Sequence, residues 1–182
     1  MLKSHTQKPN TWSEERIAAL VEAHRFPLLY FATGIIGNLT DAEDIVEDAF
    51  VRLLVKKPRL RNENAMKTYL FTTAKHIAID YLRKNRRRLK EQKDLEYLPE
   101  TDVQFLEESV CKTETQREIA AALHTLSPDY REVLYLLYFE ELSTAEISKI
   151  MGKTKKQIYN LAARAKKALA EILQKEDTPY EN

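Results

Sequence analysis

The stretch LSTAEISKIMGKTKKQIYNLAARAKKAL, residues 142–169, decides how this chain reads. Ser143 and Glu146 stand at capping-box spacing, in which a hydroxyl and a carboxylate each satisfy a backbone N–H at the start of a helix. Ile147 and Ile150 then fall on one face, and Gly152 supplies the residue that best tolerates a left-handed C-cap. Thr154 and Gln157 repeat the capping-box spacing and open a second helix, with Ile158, Leu161, Ala162, Ala165 and Leu169 on its apolar face. A short helix, a glycine turn and a capped second helix describe a helix-turn-helix, whose second helix lies in the major groove of DNA. Lys155, Lys156, Tyr159, Asn160, Ala163, Arg164 and Lys167 lie opposite the apolar face. Lys and Asn suit hydrogen bonds to base edges, and Arg and Lys neutralise phosphate. A basic face by itself is common on solvated helices; the turn and the two capping boxes separate this one from them.

Working back toward the N-terminus, Ser127-Pro128 places an N-cap ahead of proline at the first helical position and predicts a helix to about Phe139. A further helix is predicted over Glu114 to Thr125, completing a four-helix domain. From Leu89 to about Thr113 the apolar periodicity is lost, acids dominate and Pro99 intervenes, as expected of a flexible linker.

Before that segment the pattern is again helical. Ser13 can cap a first helix with Ile17, Leu20, Val21 and His24 on one face. A second apolar stretch runs from Phe26 to Ile36, with Pro27 at its start and Gly37-Asn38 at its end. From Asp41, residues Ala42, Ile45, Val46, Ala49, Phe50, Leu53 and Leu54 form a continuous apolar stripe that stops at Lys57-Pro58. Arg59 to Asn64 reads as a polar loop. From Ala65 to about Arg88 a long helix carries Met66, Tyr69, Leu70, Thr73, Ala74, Ile77, Ala78, Tyr81 and Leu82 on one face. Its other side shows Lys67, Phe71, Lys75, His76, Ile79, Arg83 and Lys84. Phe71 alone reads better as packing against a neighbouring helix, whereas the cluster Arg83 to Arg88 favours nucleic acid. The expected architecture is all-α: two small helical domains, residues 1–90 and 114–175, an acidic linker over 91–113 and a tail over 176–182.

Charge is segregated, although the formal net charge of the 182 residues is only +1. Asp41 to Asp48 is acidic without a base, Lys67 to Lys93 is strongly basic, and Lys153 to Lys167 is basic without an acid. On the acidic helix, Asp44, Glu47, Asp48 and Val51 lie opposite the apolar stripe. An acidic face with an apolar spot suits a protein partner that carries cations.

Several classes are set aside. Cys111 is the only cysteine, so no internal disulfide can form, and His5, His24, His76 and His124 show no ligand spacing. No metal or cofactor is expected. There is no nucleophile motif and no phosphate-cradling glycine loop, so no enzyme is expected. No apolar run reaches membrane-spanning length and Met1 to Asn10 lacks a signal-peptide core, which predicts a cytoplasmic chain without membrane insertion.

The order of these segments resembles the extracytoplasmic-function group of bacterial RNA polymerase sigma factors. DAEDIVEDAFVRL (41–53) and KTYLFTTAKHIAIDYLRK (67–84) resemble the first domain of that group; LSPDYREV (126–133) and 142–152 with the basic helix resemble the second. The resemblance covers about residues 22–90 and 114–173. It implies a non-enzymatic subunit that binds core RNA polymerase and directs it to promoter DNA. Asp44, Glu47, Asp48, Phe50 and Val51 then match the polymerase-docking helix, with Phe50 supporting it from the core side. Arg61, Asn62, Lys75, His76, Asp80, Arg83, Lys84 and Arg86 match the part that opens the −10 element. Lys155, Lys156, Gln157, Tyr159, Asn160, Arg164 and Lys167 match the helix that reads the −35 element. Tyr69, His76, Glu47 and Ala163 stand where the group usually has Trp, Asn, Gln and His. An anti-sigma protein is left open as a further partner. The alternatives are an autonomous helix-turn-helix regulator that needs no polymerase, and an adaptor that binds polymerase without reading DNA.

Overall fold

The computed structural model describes residues 13–91 and 111–176. Among them the regular elements are all helices: α1 (Glu14–Ile36), α2 (Leu39–Lys56), α3 (Glu63–Glu91), α4 (Glu114–His124), α5 (Pro128–Tyr138), α6 (Thr144–Met151) and α7 (Lys155–Glu176). Most boundaries follow local chemistry. Gly37 ends α1 in the left-handed conformation, φ 75°, and the side chain of Asn38 accepts from the Asp41 N–H to begin α2. Lys57, also left-handed, ends α2 immediately before Pro58. Asn62 caps α3 by accepting from the Ala65 N–H.

The N-terminus departs from the expected pair of elements: α1 is one helix with Pro27 inside it. An interior proline removes one backbone hydrogen bond and costs about 3 kcal/mol. The turn after it outweighs that cost, because Leu28, Leu29, Tyr30, Phe31 and Ala32 are all buried. Tertiary burial, more than local propensity, holds most helices together.

Helices α1, α2 and α3 pack on one another as a first unit, and α4 to α7 form a second. The α2 stripe is buried as expected at Ala42, Ile45, Val46, Ala49, Phe50 and Leu53, with Leu54 half-buried. On α3 the buried positions are Met66, Leu70, Phe71, Ala74 and Ala78. Phe71 therefore belongs to the core: its ring meets Phe31 edge-on at 5.0 Å.

The two units also pack against each other. Helix α6 lies along α3, and α5 touches α1, so the buried residues of both form one continuous cluster. Tyr135 of α5 is at its centre, 1 % exposed. Its ring lies 4.8 Å from Tyr30, 6.4 Å from Phe71 and 5.4 Å from Phe139, which it stacks on. Its hydroxyl lies 3.1 Å from the Pro27 carbonyl and 3.1 Å from Glu140 Oε1. Burial pushes the Tyr135 phenol well above its ordinary range, so it is the un-ionised O–H that serves these two acceptors. The linker expected over 91–113 falls mostly on residues 92–110, outside the described residues.

His24 of α1 is buried beside Lys67 and Glu63 of α3. Desolvation pulls its imidazole below the ordinary 6.5, Lys67 lowers it further and Glu63 opposes both. The unfolded chain therefore binds this proton at a pH where the folded one does not. Stability is full above 6.5 and declines as pH falls through that value. Glu132 and Glu140 act in the opposite sense, since burial raises both carboxyls from 4.5. Thermal denaturation between about pH 7.5 and 5.5 is expected to show a shallower loss of Tm on acidification for His24→Gln than for the wild-type chain.

Candidate functional surfaces

Three helix faces carry the chemistry. On α2, the polar side of the buried stripe presents Asp44, Glu47, Asp48 and Val51, all exposed. Phe50 is buried at 7 % exposure and supports this face from beneath. Asp48 meets Arg52 at 3.7 Å one turn on, a solvated pair that contributes little. Val55, 77 % exposed, extends the face by another turn beyond Val51, itself 54 % exposed. Sequence reasoning passed over Val55, although the spacing 44, 47, 48, 51, 55 marks one helical side. Two large aliphatic groups in water, rimmed by carboxylates, form a surface suited to a protein with an apolar patch ringed by cations.

On α7, Ile158, Leu161, Ala165 and Leu169 are buried, so the helix is held by one side only. Lys155, Lys156, Gln157, Tyr159, Asn160, Arg164 and Lys167 are all exposed on the rest of it. Both capping boxes form. Ser143 and Glu146 exchange hydrogen bonds at the start of α6, and Gly152 ends that helix at φ 62°. The Thr154 N–H donates to Gln157 Oε1 at 2.8 Å, while the Gln157 N–H donates to Thr154 Oγ1 at 3.2 Å. Gln157 is thus tied to the backbone through its oxygen, and its NH₂ can serve a base edge. Two cations of the same block have partners within the protein: Lys153 pairs with Asp129 at 3.2 Å, and Lys166 sits 5.5 Å above the Tyr138 ring. The outward charge is left to Lys155, Lys156, Arg164 and Lys167.

The α3 surface is split. Arg61, Asn62, His76, Asp80, Arg83 and Lys84 are exposed, and Arg83 reaches Asp80 at 3.4 Å on the open side. The side chain of Arg86 lies outside the described residues. Lys75 corrects the expectation of an exposed cation: its side chain is only 13 % exposed and is paired with Glu132 of α5. Lys67 is likewise turned inward, 3.4 Å from Glu140 Oε2 and 3.2 Å from the Glu140 carbonyl. Ile79 is half-buried. For Lys67 and Lys75 the physical reason is that the second unit covers this part of α3, and a single-helix periodicity cannot anticipate a neighbour contributed from the distant half of the chain.

These features define an all-α protein with a helix-turn-helix in its second unit and an acidic, partly apolar face in its first. Residues 20–88 match the family Sigma-70 region 2, and residues 116–169 match Sigma-70 region 4. The RNA polymerase sigma factor SigV of Bacillus subtilis (strain 168) is 26 % identical over 161 residues, covering 88 % of this chain and 93 % of the relative. The ECF RNA polymerase sigma factor SigX of the same organism is 27 % identical, covering 86 % and 82 %. The ferric citrate uptake sigma factor FecI of Escherichia coli (strain K12) is 24 % identical, covering 88 % and 92 %. Among solved structures, the sigma factor RpoE in complex with the anti-sigma factor NepR from Bartonella quintana matches the fold with a TM-score of 0.64 at 23 % identity, covering 88 % of this chain and 96 % of that one. CnrH in complex with the cytosolic domain of CnrY matches with a TM-score of 0.56 at 20 % identity, covering 92 % and 93 %. The chain belongs to the sigma-70 family, in its extracytoplasmic-function group, and is a sigma factor. Sigma factors are transcription initiation factors, not enzymes. Among the described residues no helix is long and apolar enough to cross a membrane.

Thr154→Ala removes the oxygen that caps α7 and releases Gln157 from half of its reciprocal pair. Urea denaturation is expected to show a loss of about 1 kcal/mol, with helical content of the folded state unchanged.

Proposed function

We propose that this sigma factor docks on core RNA polymerase through the α2 face of Asp44, Glu47, Asp48, Val51 and Val55, and directs the enzyme to promoters. The single observation that carries this reading is the opposition of charge between two exposed surfaces: carboxylates with bare aliphatics on α2, and a row of cations with Tyr159 and Asn160 on α7. A chain whose faces differ in this way can hold a protein with one and DNA with the other.

In this scheme α7 lies in the major groove of the −35 element. Lys155, Lys156, Gln157, Tyr159 and Asn160, on its first turns, approach base edges, and Arg164 and Lys167 hold phosphate. The loop at Arg61 and Asn62, with Lys75, His76 and Asp80 of α3, works at the −10 element. Arg83, Lys84 and Arg86 grip the backbone there and help offset the few kcal/mol needed to extrude a base. The division into residues 1–90 and 114–175 matches this sharing of tasks, with 91–113 as the connection that allows different spacings. Two small modules gain affinity only when held at the right separation, so binding to DNA without polymerase is weak. The site of action is the cytoplasm, where the polymerase is. The complex of RpoE with the anti-sigma factor NepR supports an anti-sigma partner for this chain as well.

Two sets of substitutions test the scheme. Arg164→Ala is expected to weaken promoter binding by the polymerase–sigma complex by about 1–3 kcal/mol in a mobility-shift titration, with core binding unchanged. Asp44→Ala combined with Glu47→Ala is expected to lower recovery of core polymerase in a pull-down while the circular dichroism spectrum stays that of the wild type. Tight, specific duplex binding by the purified chain without polymerase would instead support an autonomous regulator.

A further inference from the structure

Gln157 is the third residue of α7 and the partner of Thr154 in its capping box. The Thr154 N–H donates to Gln157 Oε1 at 2.8 Å, and the Gln157 N–H donates to Thr154 Oγ1 at 3.2 Å. A backbone N–H only donates, so the side-chain amide has one orientation: flipped, it would set its NH₂ against another donor. The oxygen is therefore turned back to the start of the helix, on a side chain that is otherwise exposed. The NH₂ is the end available to a ligand. A residue that ordinarily offers both hydrogen-bond polarities here offers donors.

We propose that Gln157 fixes one position of the −35 element as a keto base, guanine or thymine, by donating from its NH₂ to the acceptors those bases present in the major groove. This rests on the reading of α7 as the −35 helix. Guanine offers O6 and N7, and thymine offers O4. Cytosine offers the N4 amino group, which would meet the Gln157 NH₂ donor against donor. Adenine is read by an amide that sets its oxygen on N6 and its NH₂ on N7 together. With the oxygen turned to Thr154, the adenine amino group is left without its acceptor, and an unpaired donor in a closed interface is costly.

The surroundings agree with this polarity. Lys155 and Lys156, exposed beside Gln157, are donors without acceptors. No Asp or Glu occurs between Glu146 and Glu171, so no carboxylate of α7 before Glu171 accepts from a cytosine. The first residues of the second helix in a helix-turn-helix meet base edges, and Arg164 and Lys167 further along are left for phosphate. The reciprocal pair with Thr154 also sets the direction of the NH₂ before DNA arrives, so less side-chain freedom is lost on binding. Helix α6 shows what a carboxylate does in the same role: the Ser143 N–H donates to Glu146 Oε2 at 2.8 Å. Glutamate thus makes the same cap, and Gln157→Glu keeps the cap while turning the free end from donor to acceptor.

The test is selection of promoters from a library randomised across the −35 element, using the full-length chain assembled with core polymerase. The wild-type complex is expected to enrich guanine or thymine at a position where Gln157→Glu shifts the preference toward cytosine or adenine by about tenfold, the other positions keeping their order. Gln157→Ala is expected to lose preference at that position without inverting it. Thermal denaturation is expected to show Gln157→Glu as stable as the wild type, which separates a change of reading from a damaged helix. A uniform loss of affinity with every preference unchanged would assign the NH₂ to phosphate and overturn the proposal, as would a wild-type preference for adenine or cytosine at the affected position. If Arg164→Ala and Gln157→Glu both bind promoters as the wild type does, the reading of α7 as the −35 helix fails, and the proposal with it.

Discussion

Everything in this structure is organised around one buried phenol. Tyr135 comes from α5, yet its ring packs on Tyr30 of α1 and Phe71 of α3, and its hydroxyl reaches the Pro27 carbonyl. A phenol taken wholly out of water needs a partner for its O–H, and two acceptors meet it here. The same hydroxyl touches Glu140, which in turn holds Lys67. One side chain thus ties the aromatic core to the polar rim, and through them the second unit to the first. The long α1, continuous across Pro27, follows from the same burial, since the residues just after the proline form the floor on which Tyr135 rests.

The functional surfaces depend on what that contact leaves uncovered. The α2 face and the outer side of α7 are both exposed, and each is supported by a buried stripe on its own helix. Their local physics is simple: a helix anchored on one side presents the other in a fixed direction, and capping boxes at Ser143 and Thr154 fix where α6 and α7 begin. The α3 surface is different. Its outer residues His76, Arg83 and Lys84 face water, whereas Lys67 and Lys75 face carboxylates from the other unit. Basic residues on one helix thereby fall into two groups, distinguished by whether a distant segment covers them.

A sigma factor has to hold a large enzyme and two separated stretches of DNA with fewer than two hundred residues. The fold leaves an exposed acidic face on α2 and an exposed basic face on α7, each backed by a buried stripe. The contact between the units combines aromatic packing with two carboxylate–lysine pairs, Glu132 with Lys75 and Glu140 with Lys67.

The amino-acid sequence by itself determined the helices of the second unit almost to the residue, the stripe on α2, the caps at Ser143, Gly152 and Thr154, and the outward rows on α2 and α7. These are local properties, set by the period of a helix and by side chains within four positions of the backbone groups they satisfy. The tertiary structure alone decided that Pro27 lies inside a helix, and that Lys67 and Lys75 meet Glu140 and Glu132. Those outcomes depend on contacts between residues tens of positions apart, 57 for Lys75 with Glu132 and 108 for Tyr135 with Pro27, and no periodicity within one helix records which distant face will come to cover it.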